Sequence, residues 1–171
     1  MCSNLLAYAD DVVLLAPSWH GLQQLLNIIS VADLCFNTKK TVTMIFNPHN
    51  PHKQLHSMFP SFSLSGCQLS FVTHFKYLGH IIEHTLHDDS DISRELRCLF
   101  TRTNVLIRRF WRCSLDVKLR MFRRYRKCFY DMSLWKYYKV GSMNKLAAAY
   151  ILSVLRFSLD TQNSAVLPLC S

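Results

Sequence analysis

Asp10 and Asp11 are adjacent carboxylates set between two short apolar runs, Leu5-Leu-Ala-Tyr-Ala9 and Val12-Val-Leu-Leu-Ala16. Neighbours in a flat strand point to opposite faces, but a tight turn lets both serve one site. Like charges held side by side repel, and a divalent cation relieves them. Hard oxygen ligands suit Mg²⁺. Two Mg²⁺ ions about 3.5–4 Å apart are the standard clamp for displacement at phosphate. A bare Asp-Asp also suits an ordinary turn, where aspartate satisfies local amides. The apolar flanks, with Tyr8 two positions before Asp10, are what set this pair apart. His49, His52 and His56 have a spacing that zinc can use, but they share a stretch with Pro48, Pro51 and Pro60 and have no cysteine at ligand spacing. They read as polar loop residues.

The elements that must position the carboxylates follow from the same pattern. The two apolar runs predict a hairpin with buried strands and a polar tip. Pro17-Ser18 stops the second strand, and Ser18 is suited to cap a helix. Leu22, Leu25, Leu26, Ile29 and Ala32 predict an amphipathic helix over 19–33. Asn37 marks a turn, 41–46 a strand and 47–60 a loop. Residues 62–66 and 68–72 read as a small hairpin, and 75–82 as two strand segments around Gly79.

From about Asp88 the period becomes helical. Ile92, Leu96, Leu99, Phe100, Thr103, Leu106, Ile107 and Phe110 share one face. Arg94, Arg97, Arg102, Arg108, Arg109 and Arg112 share the other. Asp88, Asp89 and Asp91 lie at the helix start, where its dipole favours them. After Ser114 a second helix places Leu115, Leu119, Phe122, Tyr125, Phe129 and Met132 on its apolar face, with Tyr125 in the core. Arg120, Arg123, Arg124 and Lys127 form its basic face. A third helix is expected over 144–157.

Composition narrows the partners. The 171 residues are 50% hydrophobic and 18% charged, which excludes wholesale disorder. The formal charge of +9 is unevenly divided. Residues 1–93 hold four basic and seven acidic groups, whereas residues 94–171 hold sixteen and four. Between 94 and 127 there are twelve basic and two acidic residues, more than solubility requires. Trp111, Tyr125 and Tyr130 lie among the arginines or just after them and can stack on bases, with Tyr125 read rather as core. An arginine-rich helix face is often only solvated, but this density favours a nucleic-acid backbone over a membrane surface. Seven cysteines, odd and irregularly spaced, read as reduced thiols with no disulfide-linked partner, hence an intracellular protein of cytoplasm or nucleus. The longest candidate span, Ala147–Leu155, has nine residues, too short for a membrane crossing.

Leu6-Ala-Tyr-Ala-Asp-Asp-Val-Val-Leu-Leu15 resembles the Tyr-x-Asp-Asp motif of reverse transcriptases of non-LTR (LINE-type) retrotransposons. Leu34-Cys-Phe-Asn-Thr-Lys-Lys-Thr41 resembles the next block of that family, which ends Asn-x-x-Lys-Thr. Phe75-Lys-Tyr-Leu-Gly-His80 resembles its primer-grip block. The three occur in the family's order, and the resemblance covers nearly the whole chain. It implies an α+β fold: an incomplete polymerase palm of antiparallel strands plus helix over 1–87, then a basic helical thumb or connection region over 88–171. It implies Asp10 as the stronger and Asp11 as the weaker Mg²⁺ ligand, and Tyr8 beside the primer end or incoming nucleotide. Lys40 would lie near the leaving pyrophosphate, and Tyr77, Leu78 and Gly79 at the primer strand. The implied partner is an RNA–DNA primer–template, and the implied reaction is RNA-directed DNA polymerisation. A third palm aspartate and the fingers lie before the Tyr-x-Asp-Asp motif in the family, and none is seen here, so the chain is expected not to polymerise alone. The alternatives are a non-catalytic nucleic-acid-binding remnant and a retroelement relic without function.

Overall fold

The structure, a computed structural model, describes residues 5–31, 36–47, 59–126 and 131–159. It is α+β, and it divides into two compact units, Met1–His74 and Phe75–Ser171.

In the first unit, β1 (Leu5–Tyr8) and β2 (Asp11–Leu14) pair antiparallel from Leu5 opposite Leu14 to Tyr8 opposite Asp11. This leaves a two-residue loop, Ala9-Asp10. α1 (Trp19–Val31) begins where Ser18 predicts. The Ser18 hydroxyl accepts the Gly21 amide at 3.2 Å, which satisfies a donor that the first helical turn leaves without a partner. The face of α1 carrying Trp19, Leu22 and Leu26 packs with Phe62, Leu64 and Leu69, and Leu14, Phe36 and Phe71 close the cluster. Ala32 lies outside the described residues, as do His49, His52 and His56.

The remaining strands are short. β3 is only Val42–Thr43, and it runs parallel to β6 (Ser70–Phe71). β4 (Ser63–Leu64) and β5 (Cys67–Gln68) form a hairpin whose loop residues, Ser65 and Gly66, both have positive φ. Two positive φ values match the twist of a two-residue hairpin. The Gln23 side chain both donates to the Ser63 carbonyl (3.0 Å) and accepts its amide (3.1 Å), so it occupies the open edge of β4 as a strand would.

The sequence predicted buried strands around the carboxylates. The structure corrects this. The described strands form separate two-stranded pairs instead of one sheet, and β1 is exposed throughout. Leu5 and Leu6 are each 46% exposed and Tyr8 63%. A lone ribbon has two faces and two edges, and only the Leu14 end reaches the core.

β7 (His74–Tyr77), which enters the second unit at Phe75, and β8 (His80–Glu83) flank the turn Leu78-Gly79, again with both φ positive. β8 packs on α2 (Asp89–Phe110), so this hairpin is mounted on the helical part of the chain. α3 (Leu115–Arg126) and α4 (Val140–Leu159) follow, with a 3-10 turn, Asp131–Leu134, between them. One core cluster joins Ile92, Leu99, Trp135, Leu146 and Ala149. Another joins Leu106, Phe122 and Phe157.

Several apolar-face assignments change. Phe100 is 38% exposed, and Asp91 and Glu95 take places on the buried face of α2. Tyr125 is 43% exposed instead of core, and Leu115 and Met132 are also exposed. Phe129 lies outside the described residues. In α3 the buried position goes to Lys118, whose Nζ donates to the Trp111 carbonyl at 2.8 Å and lies 5.8 Å from the centre of the Phe157 ring. It thereby places a cation at the C-terminal end of α2, where the dipole is negative. No helix among the described residues is long and apolar enough to cross a membrane.

Candidate functional site

The loop of the first hairpin carries the carboxylates. Ala9 has φ +49°, a conformation that favours glycine and costs an alanine about 1 kcal/mol or more. Asp10 follows it in the turn, and Asp11 opens β2 opposite Tyr8. Both aspartates are exposed. Among the described residues neither carboxylate has a hydrogen-bond or ion-pair partner, and no lysine or arginine neutralises the pair. Two hard oxygen donors without an internal cation are a fit for Mg²⁺ as far as they go. No group of three metal-ligating side chains occurs among the described residues.

Lys40 belongs to the same unit and is exposed. The Asn37 carbonyl accepts the amides of Lys40 and Thr41, both at 3.0 Å, and its side-chain oxygen also receives the Lys40 amide at 3.3 Å. The Thr41 hydroxyl donates to the same carbonyl at 3.0 Å. The Asn-x-x-Lys-Thr spacing is therefore that of a turn closed by its asparagine. Tyr77, Leu78 and Gly79 lie in the second unit, with Leu78 53% exposed at the turn.

The arginines separate into two groups. Arg97, Arg108, Arg109, Arg112, Arg120, Arg123 and Arg124 are exposed. Arg112 lies over the Trp111 ring at 4.6 Å, and Arg120 pairs with Asp116 one turn before it. Arg94 and Arg102 instead turn to carboxylates of their own helix. Arg94 meets Asp91 at 2.7 Å and Glu95 at 3.1 Å, and Arg102 meets Glu95 at 3.2 Å. Lys127 lies outside the described residues.

Sequence reasoning missed the polar centre of the second unit. Asp91 is fully buried. It accepts the Ile81 amide and the Trp135 indole N–H at 2.9 Å each, as well as Arg94. His80 Nδ1 lies 3.0 Å away, off a hydrogen-bonding direction. Burial pushes the Asp91 carboxyl up, but Arg94, the Ile81 amide, the Trp135 indole and His80 outweigh it and hold the carboxyl below the usual carboxylate value. Asp88 accepts the Lys136 and Tyr137 amides at 2.7 and 3.0 Å, and Asp89 accepts the Lys139 amide at 3.0 Å. Asp89 is also held low: against its burial stand the Ser142 hydroxyl, the Lys139 amide and the Lys139 and His87 charges. The acidic run at the start of α2 thus clamps β8 and the segment before α4, beyond any effect on the helix dipole. The available signal was the spacing Asp91, Glu95, Leu99, which puts two acids on an apolar stripe.

A shallow groove between α3 and α4 is lined by Leu119, Phe122, Tyr150, Ile151, Val154 and Leu155, with Arg123 at its side. None of these lining residues carries a carboxylate or a thiol. Comparison with known proteins finds no match: no family model, no curated protein and no solved structure.

Proposed function

We propose that this chain is the carboxylate-turn and basic-helix portion of a reverse transcriptase of the non-LTR kind, binding primer–template and not polymerising alone. One observation carries the reading: two adjacent, exposed aspartates at the turn of the first hairpin, with no lysine or arginine paired to them among the described residues. Positive φ at the first loop position is shared with Ser65 and Leu78 and follows the hairpin twist, so it is the adjacent carboxylates that suit this turn to a cationic ligand. The order of the Asn37–Thr41 turn and the Leu78-Gly79 turn after it supports the same reading.

In this reading Asp10 and Asp11 hold Mg²⁺ and Tyr8 packs beside the primer end. A bound metal pair would supply activation of the primer hydroxyl and neutralisation of charge on the leaving pyrophosphate. Lys40 stabilises that leaving charge. Leu78 and Gly79 contact the primer strand, where a glycine lets backbone approach closely. Two carboxylates hold Mg²⁺ weakly. The third belongs on a neighbouring strand, and the exposed apolar surface of β1 is where such a strand is wanted. Without it the reaction does not proceed.

Mn²⁺ titration followed by electron paramagnetic resonance tests the pair. The wild-type chain is expected to bind Mn²⁺ weakly, and Asp10→Ala/Asp11→Ala to lose that binding. Because both residues are exposed, stability should change by no more than about 0.5 kcal/mol. Equal Mn²⁺ binding by both proteins would remove the carboxylate pair from the account.

The second reading, a nucleic-acid-binding protein without catalysis, is favoured by the exposed arginines of α2 and α3. It shares the partner and drops the metal.

A further inference from the structure

The segment Trp135-Lys-Tyr-Tyr-Lys139 connects the 3-10 turn to α4, and nothing in the proposed reaction uses it. Its backbone is held at many points. The Trp135 ring is buried against Ile92, Leu99, Leu146 and Ala149, and its indole N–H donates to Asp91. The amides of Lys136 and Tyr137 donate to the Asp88 carboxylate. The Tyr137 carbonyl accepts the Asp88 amide at 2.8 Å. The Lys139 amide donates to Asp89, and the Lys139 carbonyl accepts the Ser142 amide at 2.9 Å.

The side chains between these anchors face water. Tyr137 is 64% exposed and Tyr138 40%, and Lys136 and Lys139 are exposed beside them. A tyrosine in a free loop loses conformational entropy when it binds. Here the backbone is already fixed, so that cost is largely absent. Asp88 and Asp89 accept the loop's amides, and Lys139 lies close enough for its charge to act on Asp89. The chain from residue 94 onward carries sixteen cations against four acids. Rigid exposed aromatics flanked by cations form a stacking surface with phosphate contacts at either side.

We infer that the Lys136–Lys139 loop is a stacking platform for single-stranded nucleic acid, with bases on Tyr137 and Tyr138 and phosphates on Lys136 and Lys139. The inference shares the nucleic-acid partner of the proposed function and none of its catalysis.

The test compares two labelled oligomers of equal length, oligodeoxythymidine and an abasic strand with the same phosphates, by fluorescence anisotropy at low salt with the full 171-residue chain. The wild type should prefer the base-bearing strand. Tyr137→Ala/Tyr138→Ala should weaken thymidine binding by about tenfold or more and leave abasic binding unchanged. Tyr137→Phe/Tyr138→Phe keeps the rings and should bind as the wild type does. Circular dichroism should show no loss of helix in either variant, since neither ring is buried. Equal wild-type affinity for the two strands, or a preference that survives in the alanine variant, overturns the platform and leaves the primer–template reading standing. Failure of the wild type to bind either strand also overturns the platform, while the primer–template reading answers to a duplex probe.

Discussion

Asp91→Ala is expected to lower the stability of the second unit by about 3–5 kcal/mol, measured by urea unfolding at neutral pH. The Asp91 carboxylate is fully buried and joins three elements: β8 through the Ile81 amide, α2 through Arg94, and the segment before α4 through Trp135. Removing it leaves a guanidinium that is largely buried, an amide and an indole N–H short of an acceptor. Asp91→Asn keeps one acceptor oxygen and should cost less. The same carboxyl makes stability depend on pH. Its value in the folded protein lies below the ordinary 3.8, so its contribution is present above that value. It is lost as pH falls through the lower, folded value. Asp89 acts in the same direction. The wild type should therefore lose stability on acidification through that window, and Asp91→Ala should lose less over the same range.

Replacing Arg108, Arg109, Arg123 and Arg124 together with alanine should weaken primer–template binding by about a thousandfold at physiological salt. The slope of log affinity against log salt should fall by roughly three to four, as expected for four lost phosphate contacts. All four are exposed, so each should change stability by less than about 0.5 kcal/mol. Arg94 and Arg102 give the contrasting result. Their guanidinium groups serve Asp91 and Glu95, so alanine there should reduce stability more than it alters the salt slope. Filter binding at several salt concentrations, with unfolding measured in parallel, separates the two groups.

The local chemistry was largely legible in the sequence. Ser18 caps α1, Gly66 and Gly79 mark hairpin turns, and the change of period near Asp88 marks the start of α2. Each depends on a few neighbouring residues, so a linear reading can find it. Burial was less legible, because it depends on what lies across from a residue. Leu5 and Leu6 have the pattern of a buried strand, yet no third strand packs on them among the described residues. Asp91 and Lys118 are charges by type and interior by position. Each is made tolerable by a partner distant in sequence or on another element: Trp135 for the first, the end of α2 for the second. The exposure of Tyr137 and Tyr138 likewise rests on Asp88, nearly fifty residues earlier. In the candidate site, the carboxylate turn followed from residue types alone. The division of the arginines into inward and outward groups did not, because Glu95 lies on the buried face of α2 and draws Arg94 and Arg102 toward it.

A primer–template titration with Mg²⁺ and nucleotides, read for both binding and primer extension, tests the central claim most directly. The account predicts that the 171-residue chain binds, that binding weakens steeply as salt rises, and that the primer is not extended. Extension that disappears in Asp10→Ala would contradict the claim that two carboxylates are too few, and absence of binding at low salt would contradict the nucleic-acid reading itself.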